Sequence, residues 1–525
     1  MNCPNLCHRF FALALMAANL LVGSPHLPTS PAGNWLPAQS RLGINLSAPV
    51  DWNTELPFVD VFRLSRSWIS QQIGQPWGQG PALNLDPQGW VQSLATNCFA
   101  ETLVLTGGHA PVGDYVCLYD GTGRIEFGAN STVLSRQPGR IVVHINAQTE
   151  GTFLQLRATD PANPVRHLRL LLPGSEATYD TEPFSPAFLH RWQGFNTLRF
   201  MDWMAINGSP QHDWADRPKP DDATWSAKGM PVEVMIDLCN RLKINPWFCV
   251  PHAATDDYVR QFAELVSRRL DPALKVYIEY SNEVWNSQFP QHTYAVEQAR
   301  KLGLGPTERP WEGAALFHAR RSLEIFQIWT EVFGGHERLV RVLAWQAAGG
   351  AYWTDQMLLA QNHTAQYCDA LAIAPYLTFL PAPGGQPLNS DDVAHWSVDQ
   401  ILDYVTTNSL SQSLGWIQTQ KAVADKYGLA LVTYEAGQHL VGVGGGENNE
   451  ALTRQLLAAN QNPRMGALYT QYLNAWRTAG GGLMCLFSSV STSSKWGSWG
   501  LLEGADETTS PKFDAVINWN QANPR

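Results

Sequence analysis

The sequence predicts an α/β fold, a (β/α)8 TIM barrel carrying an inserted antiparallel β-sandwich domain. Three observations predict it. Eight runs of strand-forming residues are spread along the chain, and helical stretches follow most of them. Between about Asn84 and Gly174 the texture changes to short alternating runs separated by turn signals. Two of the eight runs close on a glutamate, Glu283 and Glu435.

The elements follow in order. Arg41-Leu-Gly-Ile-Asn-Leu46 reads as the first barrel strand. The β-rich segment holds Glu101–Leu105, Tyr115–Tyr119, Arg140–Asn146 and Phe153–Arg157, with Asp120-Gly-Thr-Gly123 as a turn, so the sandwich is expected to interrupt the barrel after its first strand. Asn196–Met201 is the second barrel strand. Pro231 opens a helix with Val234, Met235, Leu238, Cys239 and Leu242 on one face, and Pro246–Val250 follows as the third strand. Thr255 caps a helix burying Val259, Phe262, Leu265 and Val266. The fourth strand runs from Lys275 to Glu283. A helix from about Trp311 to Phe333 leads to the fifth, Leu339–Trp345. Asp369–Tyr376, Leu429–Glu435 and Gly482–Phe487 complete the eight, the number that closes such a barrel. The expected divisions are an export signal over 1–24, an N-terminal segment with the first strand over 25–83, the sandwich over 84–175 and the rest of the barrel over 176–525.

Composition narrows the partners. Lysine and arginine total 36 against 46 acidic residues, and a formal charge of -10 argues against nucleic acid, which needs a basic face. The indole faces of the 21 tryptophans can stack on the apolar face of a sugar ring, while most of them are expected to be core. Arg9 precedes an apolar run, Phe10–Val22, then small residues and prolines, which reads as a secretory signal too short to span a membrane stably. A secreted or periplasmic protein without a membrane segment after cleavage is expected. Cys98 with Cys117 and Cys239 with Cys249 are the candidate disulfides of such a compartment. The cysteines lack zinc-site spacing, so neither metal nor cofactor is expected.

A carboxylate at the C-terminal end of a barrel strand sits where these folds assemble their active sites. Either glutamate alone reads equally well as a helix cap or an ion-pair partner. Together they suffice for acid-base and nucleophilic chemistry on a glycosidic bond, one giving a proton to the leaving oxygen while the other attacks the anomeric carbon. Asn282-Glu283 ending the fourth strand and Glu435 ending the seventh resemble the clan A retaining glycoside hydrolases. That resemblance covers Arg41–Leu46 and Phe184 to the C-terminus. It implies Glu283 as acid/base, Glu435 as nucleophile, and Asn282 as a partner of the sugar 2-hydroxyl. Arg199 on the second strand resembles the arginine that keeps the nucleophile ionised, and a guanidinium does lower a carboxylate pKa. His252 and Tyr376 occupy rim positions where the clan carries substrate or nucleophile contacts. Trp496 and Trp499 follow strand eight, where a sugar platform is common. Asp202, Trp203, Trp285 and His439 are weaker candidates. The chain departs from the clan's Asn-Glu-Pro, reading Asn282-Glu283-Val284-Trp285-Asn286, which reshapes the adjacent subsite.

The expected function is thus a secreted retaining glycosidase acting on β-linked polysaccharide or oligosaccharide, with a non-catalytic carbohydrate-binding protein on the same scaffold as the alternative. A metal-dependent hydrolase built from His109, Asp114 and His252 is disfavoured, because no His-x-His or His-Glu-x-x-His spacing is present. A calcium site from Asp114 and Asp120 lacks the density of oxygen ligands such an ion requires.

Overall fold

The computed structural model describes residues 40–147, 150–379, 388–442 and 445–525. The export signal expected over 1–24 lies outside these. Eight parallel strands close into a barrel: β1 (Leu42–Asn45), β2 (Thr197–Arg199), β3 (Asn245–Val250), β4 (Val276–Tyr280), β5 (Leu339–Ala344), β6 (Ala370–Ile373), β7 (Ala430–Thr433) and β8 (Met484–Leu486). Their order around the barrel is their order in the chain, and β8 pairs with β1 through Leu42–Met484, Gly43–Cys485 and Ile44–Leu486. Seven of the eight runs singled out in the sequence contain one of these strands, and the eighth, Pro246–Val250, begins one residue after the start of β3. They are rich in β-branched and aromatic residues and nearly all their residues are buried, as expected for parallel strands covered on both faces. Gly43 permits a close approach at the seam, since a Cβ there would lie 3.1 Å from both Cys485 Sγ and the Thr197 carbonyl oxygen.

Helices between the strands complete the outer layer. The helix Asp256–Arg269 begins where Thr255 Oγ1 accepts a hydrogen bond from Tyr258 N, and it buries Tyr258, Val259, Phe262 and Val266. The helix Val232–Leu242 stops at Lys243, whose left-handed φ of 55° ends the ladder. Phe248 of β3 stacks on Phe200 and meets Phe262 edge-on, which joins barrel and helix layer in one core.

Two four-stranded antiparallel sheets lie between β1 and β2 in the chain. One has the order Ile69–Gln72, Cys98–Val104, Thr152–Thr159, Gly123–Gly128; the other Arg166–Leu171, Gly113–Asp120, Arg140–Ile145, Ser131–Gln137. Ala100, Ile125 and Leu154 of the first share an apolar cluster with Tyr115, Val143 and Leu170 of the second. The first strand, Ile69–Gln72, precedes the expected boundary at 84. Its sequence Ile-Ser-Gln-Gln has a single apolar residue and so gave no alternating pattern.

Neither candidate disulfide is formed, since Cys98, Cys117, Cys239 and Cys249 are free thiols. Cys239 lies on a helix outside the barrel, whereas Cys249 Sγ is directed to Glu279 within it, so the strand wall separates them. Cys117 is buried between the sheets while Cys98 is half-buried on a strand of the other sheet. Among the described residues no helix is long and apolar enough to cross a membrane, and no cluster of three His, Cys, Asp or Glu side chains is placed to hold a metal.

Candidate active site

Arg199, the last residue of β2, is fully buried. Its Nη2 and Nε donate to Glu279 Oε2 at 3.0 and 3.2 Å, its Nη1 to Glu435 Oε1 at 3.0 Å and to Asn45 Oδ1 at 3.0 Å, and its Nη2 also to Asn282 Oδ1 at 2.9 Å. Burial works against the guanidinium charge, but Glu279 and Glu435 outweigh it and raise its proton affinity above normal. One cation is therefore tied to the ends of β1, β4 and β7. Glu279 takes two further donors, Trp247 Nε1 at 2.8 Å and Cys249 Sγ at 3.5 Å. Asn45 Nδ2 donates to the carbonyls of Tyr434 and Leu486 at 2.9 and 3.0 Å, which stitches β1 to the rims of β7 and β8.

Glu435 lies two residues past β7 and is buried. Its second oxygen accepts from Tyr376 Oη at 3.0 Å. Burial raises its pKa, and the Arg199 charge and the Tyr376 hydrogen bond work against that rise. Glu283 lies three residues past β4, in a rim segment where Ser281 and Glu283 adopt left-handed φ values of 58° and 42°. Such values in residues other than glycine store on the order of 1–3 kcal/mol each and gather at functional sites. Glu283 accepts from Tyr434 Oη at 3.0 Å and from Asn286 Nδ2 at 2.9 Å. Burial first, then the charge of Glu435, pushes its carboxyl up to about 7. The two glutamates therefore feel one another electrostatically but are held differently, Glu435 by a cation and a phenol, Glu283 by neutral donors. Both phenols are pushed well up by burial and the adjacent carboxylates, so they remain donors at neutral pH.

The other candidates separate into groups. Asn282 bonds Arg199 and, through Nδ2, Asn207 Oδ1 at 3.1 Å, while Gln291 Nε2 secures both Asn207 and the Asn282 carbonyl. Tyr376, His439 and Trp499 form an aromatic cluster beside Glu435, with ring centroids 4.8–5.8 Å apart. Trp496 stands outside it, 64% exposed, with Lys495 Nζ 4.7 Å from its ring. His252 packs edge-on to Tyr294, and among the described residues no hydrogen bond joins it to either glutamate. Asp202 is half-buried near Glu435, whose charge adds to burial in raising its carboxyl to about 7. Trp203 belongs to the core, against Phe58, Phe188 and Phe200, and Trp285 is a half-buried neighbour of the same core. The residues of a metal reading are dispersed: His109 pairs with Asp506, Asp114 with His144, and Asp120 with His167. Sequence reasoning missed Tyr434, Asn286, Asn45 and Glu279. Only Glu279 carried a signal, its shared strand parity with Glu283.

Fold and site together define a closed (β/α)8 barrel with two glutamates at its C-terminal rim, Glu435 held by Arg199 and Tyr376 and Glu283 by Tyr434 and Asn286. No protein-family model matches the chain, and no curated protein matches it. Among solved structures, it is similar to a 4-O-α-L-rhamnosyl-β-D-glucuronidase from Fusarium oxysporum 12S, 9% identical with a TM-score of 0.41, over 66% of this chain and 67% of that one. It is also similar to a broad-specificity endoglucanase from Clostridium acetobutylicum, 13% identical with a TM-score of 0.35, over 66% and 92%. A two-module endo-1,4-β-D-xylanase fragment from Clostridium thermocellum is 12% identical with a TM-score of 0.35, over 89% and 97%.

Proposed function

We propose that the chain is a retaining glycoside hydrolase acting on β-linked polysaccharide or oligosaccharide. The observation that carries this is the unequal support of two neighbouring carboxyls: Glu435 receives a guanidinium and a phenol, and Glu283, supported by neutral donors, is pushed up to about 7. That asymmetry suits opposite tasks. Glu435 acts as the nucleophile, its carboxylate oxygen bonding to the anomeric carbon as Glu283 passes its proton to the departing glycosidic oxygen. Glu283, now a carboxylate, then takes a proton from water as the water oxygen attacks the anomeric carbon and releases Glu435. Tyr376 and Arg199 orient the nucleophile. Asn282, fixed by Arg199 and Asn207, supports a role beside the sugar 2-hydroxyl, and Trp499 with His439 supports a wall for the ring.

The two antiparallel sheets, with their common apolar cluster, support a sandwich domain inserted in the barrel. The apolar run near the N-terminus supports export. The test is a panel of aryl β-glycosides and β-linked polysaccharides, run with Glu283→Gln and Glu435→Gln. Turnover lost in both variants, with ligand affinity kept, supports the assignment, as does a 2-fluoro glycoside labelling Glu435. Turnover indifferent to both changes removes it. Binding without turnover by the unaltered protein favours a carbohydrate-binding protein instead.

A further inference from the structure

Lys512 is the second residue of the helix Pro511–Ala522 and only 1% exposed. The position disfavours a cation twice, through burial and through the positive end of the helix dipole. Among the described residues no ion pair offsets this: Glu503, the acid whose charge reaches the amine, accepts instead from Ser493 Oγ at 2.8 Å and Gln461 Nε2 at 2.6 Å. The one hydrogen bond of the Lys512 side chain among those residues runs from Nζ to the carbonyl oxygen of Ser498, at 2.7 Å. Burial lowers the pKa of the amine to about 7 against the charge of Glu503, and charged or neutral it keeps N–H donors for that carbonyl.

That carbonyl belongs to the peptide leading into Trp499. Gln438 Nε2 also donates to it, from the segment that carries Glu435 and His439. Ser488 N donates to the Trp499 carbonyl at 3.0 Å, and Trp499 Nε1 to the Trp496 carbonyl at 3.0 Å. Gly497, at φ 126°, leaves room for the indole, since a Cβ there would stand 2.6 Å from the ring. The ring so held meets His439 at 4.8 Å, Phe487 at 5.7 Å and Tyr376, the phenol on Glu435, at 5.8 Å between centroids. A run of direct contacts therefore leads from a buried amine outside the barrel through the Ser498 carbonyl and Trp499 to Tyr376.

We infer that Lys512 is a positioning residue of the active site: by holding the peptide before Trp499 it fixes the indole that walls the sugar beside Tyr376 and Glu435. The inference rests on the proposed function for what the wall faces, and on the geometry alone for what the lysine holds. An apolar side chain of similar volume would fill the same space without the desolvation that a buried amine suffers. It would also leave Gln438 as the only side-chain donor to Ser498 O among the described residues, and the peptide freer to turn.

The test uses the full chain labelled with 5-fluorotryptophan and compares the unaltered protein with Lys512→Met, Trp499→Ala and the double variant. The fluorine resonance lost in Trp499→Ala belongs to Trp499. In Lys512→Met it is expected to shift or broaden, while the resonances of tryptophans distant from the rim keep their places. On an aryl β-glycoside that the protein hydrolyses, Lys512→Met is expected to raise KM about fivefold with kcat within about twofold, and to raise it no further in a chain that already carries Trp499→Ala. An unmoved Trp499 resonance overturns the inference, as does an unchanged KM, or a KM change of the same size with and without the indole, which marks a general loss of structure. If Lys512→Met does not fold, Lys512→Gln, whose side chain is one bond shorter than lysine, is read in the same way. A moved resonance in a protein that hydrolyses no glycoside removes the proposed activity and leaves the hold of Lys512 on the indole standing.

Discussion

At the scale of single residues, the carboxyls are where burial becomes measurable. Glu283 pushed to about 7 keeps its proton below that pH and loses it above. On the proposed mechanism kcat/KM therefore falls as pH rises through about 7, and the slow residual hydrolysis of an activated aryl glycoside, whose leaving group needs no proton, is expected to lack that alkaline limb in Glu283→Gln, as pH–rate profiles will record. Glu55 provides a stability counterpart. It is buried, accepts from Trp192 Nε1 at 2.7 Å and Ser489 Oγ at 2.8 Å, and burial carries its pKa from 4.5 to about 7 against the Arg191 charge. The folded chain thus binds this proton more tightly than the unfolded one. Its contribution is complete below about 4.5 and declines by on the order of 3 kcal/mol as pH rises to about 7. Glu55→Gln should melt progressively higher relative to the unaltered protein between about pH 5 and pH 8, with no such trend counting against the assignment.

At the scale of elements, caps and strand ends determine what each segment delivers to the rim. Thr255→Ala removes the acceptor for Tyr258 N at the start of the helix Asp256–Arg269 and is expected to cost ~1 kcal/mol in urea denaturation, with little change in turnover. The eight barrel strands were legible because each is a compact apolar run whose two faces are both buried, a pattern that needs no knowledge of neighbours. Ile69–Gln72 was not, because a half-polar edge strand takes its pairing from Cys98–Val104 rather than from its own residues. The placement of Glu283 and Glu435 just beyond β4 and β7 was legible for the same reason as the strands. Their hydrogen-bond partners were not: Tyr434 reaches Glu283 across 151 positions of sequence, and Asn45 reaches Arg199 across 154. Trp203 and Trp496 show the converse limit, since the sequence cannot tell an indole packed at 0% exposure from one at 64%.

At the scale of the whole molecule, the barrel and its helices share a core in which Phe248 is a joint. Phe248→Ala opens a void between Phe200 and Phe262 and is expected to cost ~3–5 kcal/mol, read as a lowered urea midpoint at unchanged m-value. The seam between β1 and β8 has a different consequence. Asn45, which steadies Arg199, is held by the carbonyl of Leu486, 441 positions downstream. Closing that span brings together residues from opposite ends of the barrel's sequence, a contact whose loop-closure cost is high. A nascent chain that has not yet reached β8 therefore lacks one of the two carbonyls that hold Asn45, and with it part of the support beneath Arg199.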